Sequence, residues 1–369
     1  MNLFLKDYHE MPRLAEIRFG TEDYSYPHEQ LIIGESTAQF KSDGRTLTAE
    51  QCTVLRKLDD GDIISLNDLG VLHRIYSAAE KNATIYMTGH CNSNCIMCPT
   101  TEEERRHGEG LPDDWLEEFL EMLPRDINHV VVTGGEPTLR LNMFLQVMHR
   151  LAERFPRIET LLLSNGRSFA SETLVKKLVK FCPQHLCVAI PLHGDAAELH
   201  DRITRSEGSF RQTMLGLKHL VEEGIAIELR IVVTKRNCNH LTKIAELICK
   251  ELPNVHVVNF IGMETRGNCA LHFDDLYMPH EEAFARMKPA IHQLLQNGID
   301  AGIYNFPLCS VEPGYWSICR KSITPEKIRY PKECEVCSVK SACGGFFNTT
   351  LSMAKPRVRP MHGQGGTPC

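Results

Sequence analysis

From residue 84 onward the chain alternates between two hydrophobic periods. Short β-branched runs read "TIYMT" (84–88), "HVVVT" (129–133), "TLLLS" (160–164), "LCVAIPL" (186–192), "IAIELRIVVT" (225–234) and "HVVNFIG" (256–262). Between them lie amphipathic stretches: "LPDDWLEEFLEML", "NMFLQVMHRLAERF", "SETLVKKLVKFC", "SFRQTMLGLKHLVEEG" and "HLTKIAELICKEL". In the third, Leu174, Val175, Leu178 and Val179 recur at helical spacing. In the fourth, Phe210, Met214, Leu217, Leu220 and Val221 do the same, so each predicts a helix with a core-facing stripe. Near-continuous apolar strands with helical crossovers predict a parallel sheet buried on both faces. Curled, it is an α/β fold, a partial (β/α)6 TIM-like barrel with its chemistry in the loops that follow the strands.

Residues 1–80 break this rhythm. "HEQLIIGESTAQF" and "GDIISLNDLGVLHRIYS" predict short strands of a small separate N-terminal domain, a place to grip a peptide or partner through a strand edge. The barrel is expected over residues 81–305, with "EEAFARMKPAIHQLLQNG" (281–298) as another helix, kinked at Pro289, and "IDAGIYNFP" as a further strand. Residues 306–369 are rich in Pro, Gly and Cys and read as a metal-stapled appendage ending in a mobile tail, "PRVRPMHGQGGTPC".

The chain has 369 residues, a hydrophobic share of 42% and a net charge of −6. That balance argues against a nucleic-acid partner, which needs a basic face. No apolar run is long enough to span a bilayer, and the start lacks the features of a signal peptide. The expectation is a soluble cytoplasmic protein. Fifteen cysteines are many for a reducing compartment, and an odd number argues against a full set of disulfides. Cys52, Cys182, Cys187, Cys238, Cys249 and Cys269 are scattered, mostly among apolar neighbours, and read as small buried hydrophobes. The others fall largely into two tight groups.

The first is "GHCNSNCIMCPTT", which holds Cys91, Cys95 and Cys98 as C-x3-C-x2-C directly after a strand. Structural zinc is closed by four ligands, usually as two separated pairs. Three thiolates instead hold three corners of a 4Fe–4S cluster and leave one iron open. A zinc knuckle or a redox Cys-x-x-Cys is the alternative.

This triplet after the first barrel strand resembles the signature of the radical S-adenosylmethionine (SAM) superfamily, and the likeness repeats at successive strand ends. "TGGEP", Thr133 to Pro137, resembles the loop over the methionine amino group: Gly134 and Gly135 let backbone approach a ligand, Glu136 offers a carboxylate to an ammonium, and Pro137 starts a helix. "LLSNG" supplies Ser164 and Asn165. "PLHGDAAELHDRITRSEGSF" brings His193 to the ribose position and Arg205 before Gly208-Ser209-Phe210, and "RIVVTKRN" ends with Asn237, near the adenosine. The resemblance implies that Cys91, Cys95 and Cys98 carry the catalytic cluster. It further implies that S-adenosylmethionine chelates the open iron, and that one electron cleaves it to methionine and a 5′-deoxyadenosyl radical that takes hydrogen from a substrate. A reductant such as flavodoxin or ferredoxin is implied with it.

The second group, "CEVCSVKSACGGFF", holds Cys334, Cys337 and Cys343, with Cys309 and Cys319 upstream in "CSVEPGYWSIC". It resembles the auxiliary-cluster appendage of peptide-modifying radical enzymes, shortened, because Phe347 stands where a further Cys is expected. The reading is one auxiliary 4Fe–4S cluster on Cys309, Cys334, Cys337 and Cys343. Cys319 or Cys369 are alternatives to Cys309, and zinc is an alternative metal. "GDIISLNDLGVLHRIY" leading into "CNSNCIMC", with "YNFPLCSV", "KSIT" and the terminal "CGGFF", is similar to the His-Xaa-Ser system radical SAM maturase of the HxsC type. That likeness implies a ribosomally made precursor peptide as substrate and a second radical SAM maturase as partner. The rivals are a small-molecule enzyme of the molybdopterin-precursor cyclisation type, whose tail arginines Arg357 and Arg359 only loosely echo, and a non-catalytic zinc-binding interaction protein.

Overall fold

A computed structural model of the chain describes residues 2–20, 25–35 and 37–362. It divides into two compact units.

The first unit comprises Met1–Met87, Glu109–Leu162 and Phe181–Leu186. Its strands are β1 (Asn2–Phe4), β2 (Arg13–Phe19), β3 (Gln30–Ile33), β4 (Ala38–Phe40), β5 (Thr46–Leu47), β6 (Ile63–Leu66), β7 (Val71–Ser77), β8 (Asn82–Tyr86), β9 (His129–Thr133) and β10 (Glu159–Leu163). They lie in the order β10-β9-β8-β7-β6-β2-β3-β4-β5, with β1 on β7. β8, β9 and β10 run parallel, as the apolar runs predict. β9 alternates half-buried and buried positions, and Val130 and Val132 are wholly enclosed. The helix Asp113–Met122 turns Leu116, Phe119 and Leu120 inward, each contributing about 1.5–3 kcal/mol by burial.

β7 pairs antiparallel with β8 through Tyr76–Ala83 and Ser77–Asn82, so the N-terminal strands extend the sheet that carries the first barrel strand. Lys81, left-handed at φ 51°, closes that hairpin. Leu5, Ile17, Leu31, Phe40, Leu55 and Leu72 form the local core. The helix Ala49–Leu55 starts on a capping box, Thr48 with Gln51.

The second unit comprises Thr88–Gly108, Leu163–Lys180 and Cys187–Cys369. β11 (His185–Pro191), β12 (Ala226–Val232), β13 (Val257–Ile261), β14 (Asp300–Tyr304) and β15 (Cys319–Arg320) pair parallel in that order. Helices Ser209–Glu222, Leu241–Glu251 and His280–Gln296 intervene. The last runs through Pro289 unbroken. The alternation of parallel strands and helices is that of a partial (β/α)6 TIM-like barrel. Gly216 lets the helix Ser209–Glu222 lie against the loop after β10, because a Cβ there would strike the carbonyl of Gly166.

Beyond β15, β16 (Ile328–Arg329) and β17 (Phe346–Phe347) form a small antiparallel ribbon, followed by the helix Asn348–Ala354. Of the expected tail, residues 363–369 lie outside the described residues. Lys355, left-handed at φ 45°, precedes the described part, and Val358, Arg359 and Pro360 line a pocket of cysteines. Side-chain burial and backbone hydrogen bonds seat residues 356–361, where composition alone predicts mobility. Among the described residues, no helix is long and apolar enough to cross a membrane.

Candidate functional site

The loop after β8 carries the three thiols and is built almost entirely by long-range polar contacts. Asn94 and Ile96 donate their N–H groups to Thr204 and Ile203 carbonyls at 3.0 and 2.9 Å, and Cys98 donates to Cys95 O at 3.1 Å. Asn268 inserts from the far side, its Nδ2 donating to Asn94 Oδ1 at 2.8 Å and Cys95 O at 3.0 Å, while Arg105 donates to its Oδ1 at 2.9 Å. Gly267, at φ 58°, packs so closely on Pro99 and Thr100 that a side chain has no room. Downstream, Thr101 and Glu104 form the capping box of the helix Glu102–His107, and Arg266 pairs with Glu104 at 2.5 Å.

A second brace comes from the loop after β10. Asn165 donates from Nδ2 to Asn92 Oδ1 at 2.6 Å and to Cys91 Sγ at 3.8 Å. The Arg167 guanidinium donates to Asn92 O, to Ser93 Oγ at 3.0 Å, to Ser206 Oγ at 2.8 Å and to Gln212 Oε1 at 2.7 Å. Arg167, Asn268 and Arg105 are absent from any reading of the sequence because no local pattern marks them. The Thr-x-x-Glu spacing of Thr101 and Glu104 is the one local signal here that could have shown a cap, a signal that sequence reasoning missed.

The thiols crowd one another. Burial pushes the Cys95 thiol up to about 12, and the negative charges of Cys98 and Cys91 add to the rise. Three thiolates that repel one another at one loop are stable as anions only against a strong positive charge. That donor set fits an iron–sulfur cluster.

Other expected site residues fall variously. Glu136 is fully buried and caps the turn Pro137–Arg140, accepting from Thr138 N–H at 3.2 Å and Thr138 Oγ1 at 2.6 Å. Behind Gly134, Gly135 and Pro137, Arg140 donates to Met87 O at 2.6 Å and Leu111 O at 2.7 Å, fixing the end of β8. Ser164 is buried and accepts from Gly166 N–H at 3.0 Å. His193 is buried with Nδ1 lacking a hydrogen bond, and its ring stacks on His200 at 5.8 Å. Burial, aided by His200, lowers its pKa to about 3.

Asn237, expected near the adenosine, and Arg205, expected among the cofactor-binding residues, both make hydrogen bonds within the protein. Asn237 accepts from Thr234 N–H at 2.9 Å and Thr234 Oγ1 at 3.1 Å, and donates to Val232 O and His193 O at 2.9 and 3.4 Å. Its amide is fully used within the protein, so it orders the loop that carries His193. Arg205 is exposed, left-handed at φ 51°, and bonded to His272 Nε2 at 2.6 Å.

The second cysteine group converges. Cys309, Cys334, Cys337 and Cys343 line one pocket with Tyr330, Lys340 and Phe346. Cys343 Sγ accepts from the N–H groups of Leu308 at 3.3 Å and Gly345 at 3.4 Å, and Cys337 Sγ from Met361 N–H at 3.5 Å. Burial, with the neighbouring charges of Cys343, Cys309 and Cys337, pushes the Cys334 thiol up to about 11. N–H groups aimed at sulfur are the surroundings of an iron–sulfur centre, and the four thiols fit one. Cys319 lies outside the pocket lining, its thiol donating to Tyr315 O at 3.5 Å. Cys369 is outside the described residues. Among the described residues, no three His, Cys, Asp or Glu side chains close on a single metal ion.

Residues 85–248 match the Radical SAM superfamily. This segment is a radical SAM domain. The chain is similar to an AdoMet-dependent heme synthase of Methanosarcina barkeri, 29% identical over 49% of this chain and 51% of that protein. It is similar to the antilisterial bacteriocin subtilosin biosynthesis protein AlbA of Bacillus subtilis, 22% identical over 72% of this chain and 64% of the relative. The mycofactocin maturase MftC of Mycobacterium tuberculosis is 28% identical over 44% of this chain and 40% of its own. The radical SAM matches thus span between 40% and 64% of these relatives' lengths. Streptococcus suis SuiB shares the fold at a TM-score of 0.50 and 13% identity, over 72% of this chain and 56% of SuiB.

Proposed function

We propose that the protein is a radical SAM enzyme that reductively cleaves S-adenosylmethionine and abstracts hydrogen from a ribosomally made precursor peptide. The observation that carries the reading is the loop of mutually crowded thiols Cys91, Cys95 and Cys98, braced by Asn165, Arg167 and Asn268. The cluster, when bound, supplies the single electron that breaks the sulfonium bond. The chain's own part is to hold the thiols rigidly and to steady the cosubstrate. By the family resemblance, Glu136 with Gly134 and Gly135 is assigned the methionine ammonium, Ser164 and Asn165 are assigned polar contacts to the cosubstrate, and His193 a neutral ring at the ribose.

The relatives AlbA and MftC, named for bacteriocin biosynthesis and mycofactocin maturation, support a peptide substrate. So does the cysteine pocket of the appendage, which we assign to one auxiliary 4Fe–4S cluster on Cys309, Cys334, Cys337 and Cys343. The finer proposal is a His-Xaa-Ser type peptide, with a second radical SAM maturase as partner and a cytoplasmic flavodoxin or ferredoxin as electron source. β5 ends the N-terminal sheet and is the edge on which such a peptide adds a strand. A second reading, action on a tetrapyrrole, is favoured by the similarity to the heme synthase.

Anaerobic incubation with S-adenosylmethionine, dithionite and, in parallel reactions, a His-Xaa-Ser peptide or a tetrapyrrole tests both. The expected result is 5′-deoxyadenosine with a mass change in the peptide, both lost in Cys95→Ala. Turnover of the tetrapyrrole instead of the peptide decides for the second reading, and 5′-deoxyadenosine formed by Cys95→Ala removes the site assignment.

A further inference from the structure

The tail after the last helix has two faces. Over residues 356–360 exposure alternates, with Arg357 and Arg359 outward and Pro356, Val358 and Pro360 half-buried; Val358 and Pro360 enter the cysteine pocket. This is the period-two pattern of an extended segment lying on a surface. Its backbone is anchored at the far end, because Ser338 donates both its N–H and its Oγ–H to Met361 O at 3.0 Å. Lys355 supplies the reversal at the near end.

A donor from this segment reaches a thiol of the pocket: Met361 N–H donates to Cys337 Sγ at 3.5 Å. Cys343 is served from elsewhere, by Leu308 and Gly345. Pro356 and Pro360 have no N–H to offer, so the segment presents donors at selected positions only.

We propose that residues 355–361 are a strap that closes the auxiliary-cluster pocket and, through the N–H group of Met361, stabilises the reduced cluster. The proposal rests on the assignment of Cys309, Cys334, Cys337 and Cys343 as its ligands. A hydrogen bond to a ligating sulfur favours the state with more negative charge, so each one raises the reduction potential. Val358 and Pro360 keep water and chelators from the irons. Met361 is a positioning residue acting through the sulfur of Cys337.

The test uses the full chain carrying Cys95→Ala, so that the auxiliary cluster is observed alone. Met361→Pro deletes one N–H donor, and Met361→Ala keeps it. In a redox titration followed by electron paramagnetic resonance, Met361→Pro is expected at a more negative potential, with Met361→Ala at the parent value. A chain ending at Ala354 is expected to lose iron to a chelator about tenfold faster or more. If the cluster is present at about four irons per chain and neither potential nor release rate changes, the strap is refuted and the ligand set stands. If the Cys95→Ala chain holds no iron–sulfur chromophore, the ligand set and the strap both fall.

Discussion

The side-chain amide of Asn165 reaches Cys91 Sγ at 3.8 Å while also holding Asn92 Oδ1 at 2.6 Å. The loop after β10 therefore grips the first thiol of the triplet and its neighbour together. Asn165→Asp keeps the shape, and its oxygen still receives Arg167 N–H, but it sets a carboxylate beside sulfur and Asn92 Oδ1. Asn165→Ala only removes the donor. Rates of 5′-deoxyadenosine formation are expected to fall about tenfold for Ala, equal to about 1.4 kcal/mol, and further for Asp, with iron content retained in both.

Arg167 ties Asn92 and Ser93 to Ser206 and Gln212. Arg167→Met leaves those acceptors without their charged donor, a cost of about 2 kcal/mol or more. A lower urea midpoint and reduced iron per chain after reconstitution are the expected readings. Retained iron at an unchanged midpoint shows the brace to be dispensable.

Glu136 already caps Thr138 through one oxygen, and glutamine can keep that bond. Glu136→Gln therefore separates charge from structure. Calorimetric titration is expected to show S-adenosylmethionine bound about tenfold more weakly, about 1.4 kcal/mol, at unchanged thermal stability.

The fourth ligand of the auxiliary pocket is decided by paired variants. Cys309→Ser, in the pocket lining, is expected to lose the auxiliary cluster, whereas Cys319→Ser, outside it, is expected to keep it. Iron and sulfide analysis in the Cys95→Ala background gives about four irons against none. The reverse outcome reassigns the ligand.

His193, His200 and His280 are buried, and burial lowers their pKa values to about 3, 4 and 4. An unfolded histidine takes up a proton near pH 6.5, while these remain neutral in the native fold. Stability is therefore full above about 6.5 and falls as the pH drops toward the native values, by about 1.4 kcal/mol per pH unit for each ring. Urea midpoints measured from pH 7 to 5 are expected to fall, and less steeply in His193→Gln.

What could be read along the chain was what neighbours in sequence decide. The β-branched runs became strands within a residue or two of their quoted limits, because a strand buried on both faces needs continuous apolar side chains. The helices followed their stripes, and the C-x3-C-x2-C spacing announced three thiols at one strand end. Folding settled the rest, because those choices join residues far apart. Arg167 meets a carbonyl 75 positions away and Asn268 one 173 positions away, so neither leaves a local trace. Residues 356–361, proline-rich, read as free by composition; they are held because Cys337 Sγ accepts Met361 N–H and Ser338 donates to Met361 O.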